Sequence, residues 1–270
     1  MFMLYPVLTG FYYSLTDWNG ISRKYGFIGL RNFVRLFHDE RMYNSLGLTL
    51  YYTIILTLAV VVLALLLALL LNRQMRLRLI FRTIYFFPTV LSLVLAAIVF
   101  NNIFSSLLPM VSKELGISFL SKSLLSGANT ALYGVLIVNV WQGTAIPFVI
   151  FLTGLQTVPP ELLESATMDG ASYFQTFRKV LLPFLVPSLQ VVLILLLRQG
   201  ITTFDYVKAM TDGGPGFVTE TLPILIYVQA FGGRMNFSYA ITESVLLFFL
   251  MAFLSFFQFR FFSEKGVGQL

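Results

Sequence analysis

Apolar stretches about as long as a lipid bilayer is thick dominate this sequence. Residues 48–71 form an almost unbroken apolar run. A helix needs about 20 such residues to cross the hydrocarbon core. Further apolar runs occupy residues 83–104, 131–153, 184–204 and 241–262, and a shorter run occupies residues 1–16. The chain is therefore predicted to be an all-α, polytopic membrane bundle in one domain spanning residues 1–270, with about six transmembrane helices.

The composition supports this class and excludes others. Hydrophobic residues make up 57% of the chain and charged residues 11%, against about 25% charged in soluble domains. The absence of cysteine excludes disulfides and zinc–cysteine sites, and a single histidine cannot build a multi-histidine metal site. The sequence contains no phosphate-binding loop and no catalytic constellation. We therefore expect no enzyme activity, no metal and no nucleic acid partner.

Basic residues predict which side of the membrane each loop occupies. Residues 72–82 contain Arg73, Arg76, Arg78 and Arg82 without an acidic residue, which is typical of a cytoplasmic loop. Counting from there places 105–130 and 205–240 outside, and 154–183 inside. The run 1–16 is too short to span, so we expect it to be the outer part of a first helix whose start is missing. Both termini are predicted to be cytoplasmic.

The segment 154–183 is the longest interior polar stretch. Pro160 suits a first helical turn, Gly170 suits a left-handed turn, and Ser172 can cap a second helix. Pro183 is predicted to close that second helix. Acidic side chains lie near the start of the first helix and basic ones near the end of the second, as helix dipoles favour: Glu161, Glu164, Arg178 and Lys179.

Tyr173, Phe174 and Phe177 would add an aromatic face to this helix–turn–helix. Such a face suits docking into a groove of a soluble partner. The alternative is an interfacial amphipathic helix without a partner. The glycine-broken pair of helices favours docking.

The same residues resemble a known motif. Glu164, Ser165 and Ala166, then Asp169, Gly170 and Ala171, and later Phe177 with Leu182 and Pro183, are similar to the EAA loop of permease subunits of binding-protein-dependent ABC importers. Ser165 stands where that family usually has alanine. The resemblance implies that this segment is a coupling helix seated in a cytoplasmic ATPase. The implied contact residues are Glu164, Ser165, Ala166, Asp169, Gly170, Ala171, Phe174 and Phe177.

Two further elements resemble the sugar-type members of that family. They are residues 26–33, GFIGLRNF, and residues 211–215, TDGGP. The resemblance implies uptake of a carbohydrate (an oligosaccharide, polyol or sugar phosphate) across a bacterial cytoplasmic membrane. The implied partners are the lipid bilayer, an extracytoplasmic solute-binding protein, a second homologous permease subunit and a dimer of ATP-binding subunits. ATP and Mg would bind those subunits, and no cofactor is expected in this chain.

Polar residues inside the predicted spans are candidates for a solute path. They are Asn139, Trp141, Gln142, Arg198 and Asp205. Helix packing is the alternative for the first three. For Arg198 the alternative is a structural anchor, because a charge at depth needs a partner or water. The side chain would either snorkel outward or pair with Asp205 or, preferably, with Glu243.

Two other functions remain open at this point. One is an ABC importer permease for a non-sugar solute. The other is a stand-alone secondary transporter, which would need intramembrane acids, and only Glu243 lies in a suitable place. Residues 222–231 are apolar but too short to span, so an interfacial or re-entrant helix is predicted there.

Overall fold

The computed structural model describes residues 4–72, 78–117, 121–233 and 236–266, and about three quarters of these residues are helical. A single antiparallel bridge joins Thr16 to Phe27. The predicted all-α class is confirmed. The arginine cluster used to assign the cytoplasmic side lies largely outside the described part of the chain. Arg73 and Arg76 are not described, and for Arg78 and Arg82 the side chains are not described.

The helices follow one another with short connections. In chain order they are α1 (Leu4–Ser14), α2 (Arg31–Leu36), α3 (Glu40–Asn72), α4 (Arg78–Val90), α5 (Leu93–Asn102), α6 (Leu108–Leu115), α7 (Ala131–Gly143), α8 (Ala145–Gln156), α9 (Pro160–Met168), α10 (Tyr173–Thr176), α11 (Leu182–Ile201), α12 (Asp205–Met210), α13 (Leu222–Phe231) and α14 (Phe237–Gly266). Two π-helical turns, Ile103–Leu107 and Phe177–Leu181, join α5 to α6 and α10 to α11.

Within the described residues, four helical segments are long and apolar enough to cross a membrane. They are Glu40–Asn72, Leu93–Leu115, Tyr173–Ile201 and Phe237–Gln258. The pair α7 and α8 adds a fifth span if its two helices, bent by 42°, are taken together. A multi-span membrane fold is therefore confirmed, whereas the predicted count of six is not reached by length and composition.

The predicted span 83–104 was wrong in its bounds. Helix α4 ends at Val90, the backbone of Ser92 is extended with ψ 136°, and the next long helix runs on to Leu115. Half of the predicted exterior loop 105–130 is therefore helical. Pro88 contributes no amide hydrogen to the last turn of α4. A side chain from α7 binds the carbonyls at this break, and no local sequence pattern predicts that contact.

The second helix of the polar segment was also predicted with wrong bounds. It does not close at Pro183 but continues from Tyr173 to Ile201 as one helix of 29 residues. In the π-helical turn before Pro183 the Leu182 amide donates to the Phe177 carbonyl. Such local adjustments allow proline inside membrane helices. The predicted span 184–204 thus overlaps the C-terminal two thirds of a longer helix, which ends at Ile201.

Three other spans differ from the prediction in smaller ways. The span predicted at 48–71 begins at Glu40, and the one predicted at 241–262 begins at Phe237. The span predicted at 131–153 bends at Thr144. Pro147 has no amide hydrogen for the Gly143 carbonyl, which accounts for a bend at that level.

Helix α3 lies at the centre of the bundle and packs along both α8 and α11. One stripe of its side chains, spaced four residues apart, is fully buried. The stripe consists of Tyr52, Leu56, Val60, Ala64 and Ala68. Alanines at one end of the stripe allow neighbouring helices to approach closely, as in many membrane bundles.

Helix α11 approaches α3 most closely at Gly200. A Cβ atom at Gly200 would lie 2.7 Å from the side-chain atoms of Thr53 and 2.8 Å from its Cα atom. Because one of these atoms is backbone, the neighbour cannot move aside without shifting α3. The contact fixes the C-terminal end of α11 against α3.

Gly200→Ala is therefore expected to destabilise the folded chain by about 1–3 kcal/mol through overpacking. A purified chain in detergent should lose several degrees of melting temperature. The matched control is Gly47→Ala on α3, where a Cβ atom would meet nothing within 4 Å. Equal melting temperatures for Gly200→Ala and the wild type would contradict the close approach.

Candidate functional site

The polar element between α8 and α11 is a well-defined turn with matching caps. Helix α9 has Pro159 as its N-cap and Pro160 at its first position. At its end the Ala171 amide donates to the Ala166 carbonyl at 2.9 Å, and the Gly170 amide to the Thr167 carbonyl at 3.1 Å. This pair of bonds is a Schellman motif, which requires a left-handed residue. Gly170 supplies it with φ +69°.

The next helix begins with a capping box. The Ser172 hydroxyl accepts from the Gln175 amide at 3.4 Å, and the Ser172 amide donates to the Gln175 side chain at 2.7 Å. Together the two motifs provide local hydrogen-bond partners for backbone groups at the end of α9 and at the start of α10. The predicted turn at Gly170 and cap at Ser172 are confirmed. Hydrogen bonds between neighbouring residues therefore stabilise the turn.

This element is exposed on the side away from the bundle. Helix α9 has no buried residue, and exposure reaches 88% at Met168, 75% at Tyr173 and 69% at Phe174. Glu164, Ser165, Asp169 and Gly170 are also exposed, and Ala166 and Ala171 are half-buried. We call Met168, Tyr173 and Phe174 the apolar patch. Large apolar side chains left exposed together mark an interaction surface.

Phe177 does not belong to this patch, contrary to the predicted aromatic face. It is half-buried and packs against the main hydrophobic core, as does Leu181. The π-helical turn that starts at Phe177 places it there. Phe177 therefore joins the polar element to the bundle, while the exposed patch lies one turn away.

The helix that leaves this element reaches a cavity in the bundle. From Tyr173 to Gln199 it extends about 40 Å at 1.5 Å per residue. Gln199 lines a cavity of about 390 Å³, within the range typical of small-molecule sites. Polar side chains along its wall are Thr89, Gln142, Gln199, Thr202, Thr203 and Asp205. The turn and the cavity thus lie at opposite ends of one helical segment.

Asn139 lies behind this wall and ties three helices together. Its Nδ2 atom donates to the Tyr52 hydroxyl at 2.7 Å and to the Thr203 hydroxyl at 3.4 Å. Its Oδ1 atom accepts from Gln199 Nε2 at 2.6 Å. Asn139 is fully buried, so it orients Gln199 rather than meeting a solute.

Gln142 does line the cavity, but all its polar atoms are paired. Its Nε2 atom donates to the carbonyls of Pro88 and Leu91 at 2.9 and 2.8 Å. These are the carbonyls at the break between α4 and α5. Its Oε1 atom accepts from the Tyr206 hydroxyl at 2.8 Å. Burial raises the pKa of Tyr206, which lies outside the membrane-spanning helices, so the phenol keeps the proton that it donates.

The other predicted path residues lie in different places. Asp205 is exposed and lines the cavity at the first turn of α12. Trp141 lies outside the cavity and packs on Phe100, with ring centroids 5.1 Å apart. Arg198 is exposed outside the cavity. Its predicted pairing with Asp205 or Glu243 was wrong, since the ion pairs between described residues are Arg41–Glu220 and Lys208–Asp212.

Sequence reasoning missed four residues of this polar cluster: Tyr52, Gln199, Thr203 and Tyr206. Each is a polar residue within or beside an apolar run, as Asn139 is. Their number in one region is a signal, but which of them face one another depends on the packing of α3, α7 and α11. That packing has no local pattern in the sequence.

Comparison with known proteins identifies the family. Residues 60–264 match the family described as binding-protein-dependent transport system inner membrane component. The chain is 37% identical over 260 residues to the multiple sugar-binding transport system permease protein MsmF of Streptococcus mutans serotype c, covering 96% of this chain and 89% of that protein. It is 32% identical over 253 residues to the probable starch degradation products transport system permease protein AmyD of Thermoanaerobacterium thermosulfurigenes, covering 94% and 86%.

Solved structures show the same fold. A bacterial alginate ABC transporter in complex with an alginate pentasaccharide-bound periplasmic protein contains a chain that superposes with a TM-score of 0.79 at 21% identity, covering 96% of this chain and 87% of that one. The chain belongs to the family of binding-protein-dependent transport system inner membrane components. It is a multi-pass membrane protein and a permease, that is, a transport subunit rather than an enzyme, as predicted.

Asn139→Ala is expected to lower the free energy of unfolding by about 1–3 kcal/mol, because it leaves Tyr52 and Gln199 without their buried partner. Thermal unfolding in detergent measures this. Asn102→Ala is the matched control, since Asn102 is exposed and bonds only to the Ile98 carbonyl of its own helix. A double variant with Gln199→Ala should lose less than the sum of the two single changes. Exact additivity would contradict the network.

Proposed function

We propose that this chain is the permease subunit of an ATP-driven importer of carbohydrates, delivered by an extracytoplasmic solute-binding protein. The observation that carries the proposal is the continuity between the exposed turn at Gly170 and the cavity wall at Gln199. A soluble protein that moves the turn also moves α11, because no break separates Tyr173 from Ile201. The family and the sugar-related names of its similar members support the class of cargo.

The partner at the turn is an ATPase, in which ATP and Mg bind. The apolar patch offers Met168 and Phe174 to a groove, as amphipathic helices do in other complexes. Glu164 and Asp169 lie beside the apolar patch with exposed carboxylates, which can bind basic groups of the partner. A second homologous permease subunit completes the path, and two ATPase subunits lie beneath the pair.

The cavity chemistry suits an uncharged polyhydroxy solute. Amide and hydroxyl groups line it with apolar side chains such as Leu195 and Phe204. Asp205 is its only charged lining residue among those described. A cavity for phosphate or another anion would need cationic side chains, and Arg198 lies outside.

The two alternatives have less support. A secondary transporter would need an acid on its path, and Glu243 is buried away from the cavity. A non-sugar ABC cargo is the other alternative, since an amino acid ABC transporter structure also superposes, with a TM-score of 0.56. Uptake measured with saccharides and amino acids separates the two cargoes.

The proposed orientation places the turn in the cytoplasm and both termini on the same side. Because the chain has no cysteine, single cysteines report the side directly. In spheroplasts a membrane-impermeant maleimide should label Ile21→Cys at once and Met168→Cys only after permeabilisation. Both side chains are exposed in the chain by itself, so the chain is expressed without the ATPase subunits, and access to the thiol then does not differ. Immediate labelling of Met168→Cys would contradict the orientation.

Gly170→Ala is expected to reduce uptake about tenfold in proteoliposomes that contain the assembled importer. An L-residue at φ +69° is disfavoured by about 1–2 kcal/mol, which distorts the turn that meets the ATPase. Uptake of maltotriose, raffinose, xylotriose and glycerol 3-phosphate, driven by ATP, is the measurement.

The matched control for this prediction is Gly116→Ala. Gly116 also ends a helix at φ +69°, and a Cβ atom would meet nothing within 4 Å at either glycine. The two variants should therefore lose the same stability, but Gly116→Ala should keep its uptake. Equal uptake by both variants would overturn the role of the turn. No uptake of any saccharide by the wild-type importer would overturn the proposed cargo.

A further inference from the structure

The loop that follows α12 holds an exposed aromatic residue in a strained backbone. Phe217 has φ +67°, a region that bulky L-residues avoid. Its side chain is 62% exposed. Strain of this kind persists where the surroundings enforce it, and it is concentrated at ligand clamps and active sites. The position of this ring therefore needs an explanation beyond packing.

The surroundings that hold the ring are charged and rigid. The Arg41 guanidinium lies under the Phe217 ring, 4.4 Å from its centroid. Arg41 in turn binds the Glu220 carboxylate through two hydrogen bonds of 2.8 and 2.6 Å. Glu220 is buried. One face of the ring is thus covered by a fixed guanidinium, while the exposure of the side chain leaves the other face open.

Phe217 lines a groove of about 620 Å³ between this loop and the start of α3, together with Arg41 and Glu220. Glu40 and Asn44 line the groove, are exposed, and lie four residues apart on one face of α3. Neither side chain makes a hydrogen bond or ion pair among the described residues. The groove therefore combines a flat aromatic surface with a carboxylate and an amide that have bonding capacity to spare.

The groove lies at the end of the bundle opposite the turn at Gly170. Gly200, at the outer end of α11, contacts Thr53, and Glu40 is a further 13 residues, or about 20 Å, along α3 in the same direction. The loop also connects with the cavity wall, because the Thr221 hydroxyl donates to the Thr203 carbonyl. A solute that enters from outside meets the groove before it meets the cavity.

We propose that Phe217, Glu40 and Asn44 form an entry subsite for a neutral sugar ring on the outer face of this subunit. The inference rests on the proposed function and names where the carbohydrate first touches the chain. The apolar C–H face of a pyranose packs on the free face of Phe217, and its hydroxyl groups bond to Glu40 and Asn44. Arg41 is neutralised by Glu220, so the site selects neutral sugars over sugar phosphates.

The test is ATP-driven uptake by the full importer in proteoliposomes, with a saturating amount of loaded binding protein. The probe is whichever of maltotriose, raffinose and xylotriose the wild type takes up fastest. Phe217→Ala should lower uptake about five- to tenfold, the value of one aromatic stacking contact. Phe217→Tyr, which keeps the ring, should stay within about twofold of the wild type.

Phe37→Ala is the matched control, because Phe37 is 61% exposed but lies outside the groove. It should also stay within about twofold of the wild type. Asn44→Ala provides a second variant in case Phe217→Ala does not assemble. It should lower uptake about threefold through a lost hydrogen bond, and it removes no buried side chain.

The affinity of the loaded binding protein for the importer, measured by fluorescence, separates sugar contact from protein contact. It should change by less than about twofold in Phe217→Ala. A loss of affinity that matches the loss of uptake would overturn the proposal, because Phe217 would then contact the binding protein. Unchanged uptake in both Phe217→Ala and Asn44→Ala would overturn it as well. Wild-type uptake of glycerol 3-phosphate alone would overturn the proposed saccharide cargo together with the subsite. Wild-type uptake of a saccharide that neither variant changes would overturn the subsite alone.

Discussion

A lipid bilayer offers no hydrogen-bond partner to an exposed backbone group, and the departures from helix in this protein depend on that constraint. At the break between α4 and α5 the Pro88 carbonyl accepts the Leu91 amide at 3.2 Å, and the carbonyls of Pro88 and Leu91 keep further bonding capacity. Gln142 binds both from α7. Because Gln142 also accepts from Tyr206, one side chain fixes the break, α7 and α12 together. The cavity exists because this irregular backbone is stabilised at its wall.

A second consequence concerns how a movement at one end of the chain reaches the other. The helical segment Tyr173–Ile201, which contains α10 and α11, is continuous, and its π-helical turn accommodates Pro183 without a break. Phe177 packs the N-terminal part of this segment against the core, Gly200 contacts α3 near its C-terminal end, and Gln199 donates a hydrogen bond to Asn139. A displacement of the turn at Gly170 is therefore expected to move the helix and change the packing of the cavity wall, because no flexible loop lies between Tyr173 and Ile201.

The local features of this fold could be predicted from sequence, and the non-local ones could not. The apolar runs, the turn at Gly170, the cap at Ser172 and the short helix Leu222–Phe231 follow from composition and from residues within one or two turns. The break after Val90 depends on Gln142, and the continuity through Pro183 depends on a π-helical turn. No local sequence pattern predicts either feature. The same limit applies to Arg198, which is exposed and makes no ion pair with its predicted partner Glu243, although α11 and α14 contact each other.

The central claim is that the turn at Gly170 docks on an ATPase. A photo-crosslinking amino acid at Phe174, in the importer assembled in native membranes, tests this most directly when the captured protein is identified by mass spectrometry. The account predicts capture of a nucleotide-binding subunit at Phe174 and none at Phe27, an equally exposed aromatic residue on the opposite side. Crosslinks at Phe174 to lipid alone, in membranes where the importer transports, would contradict it.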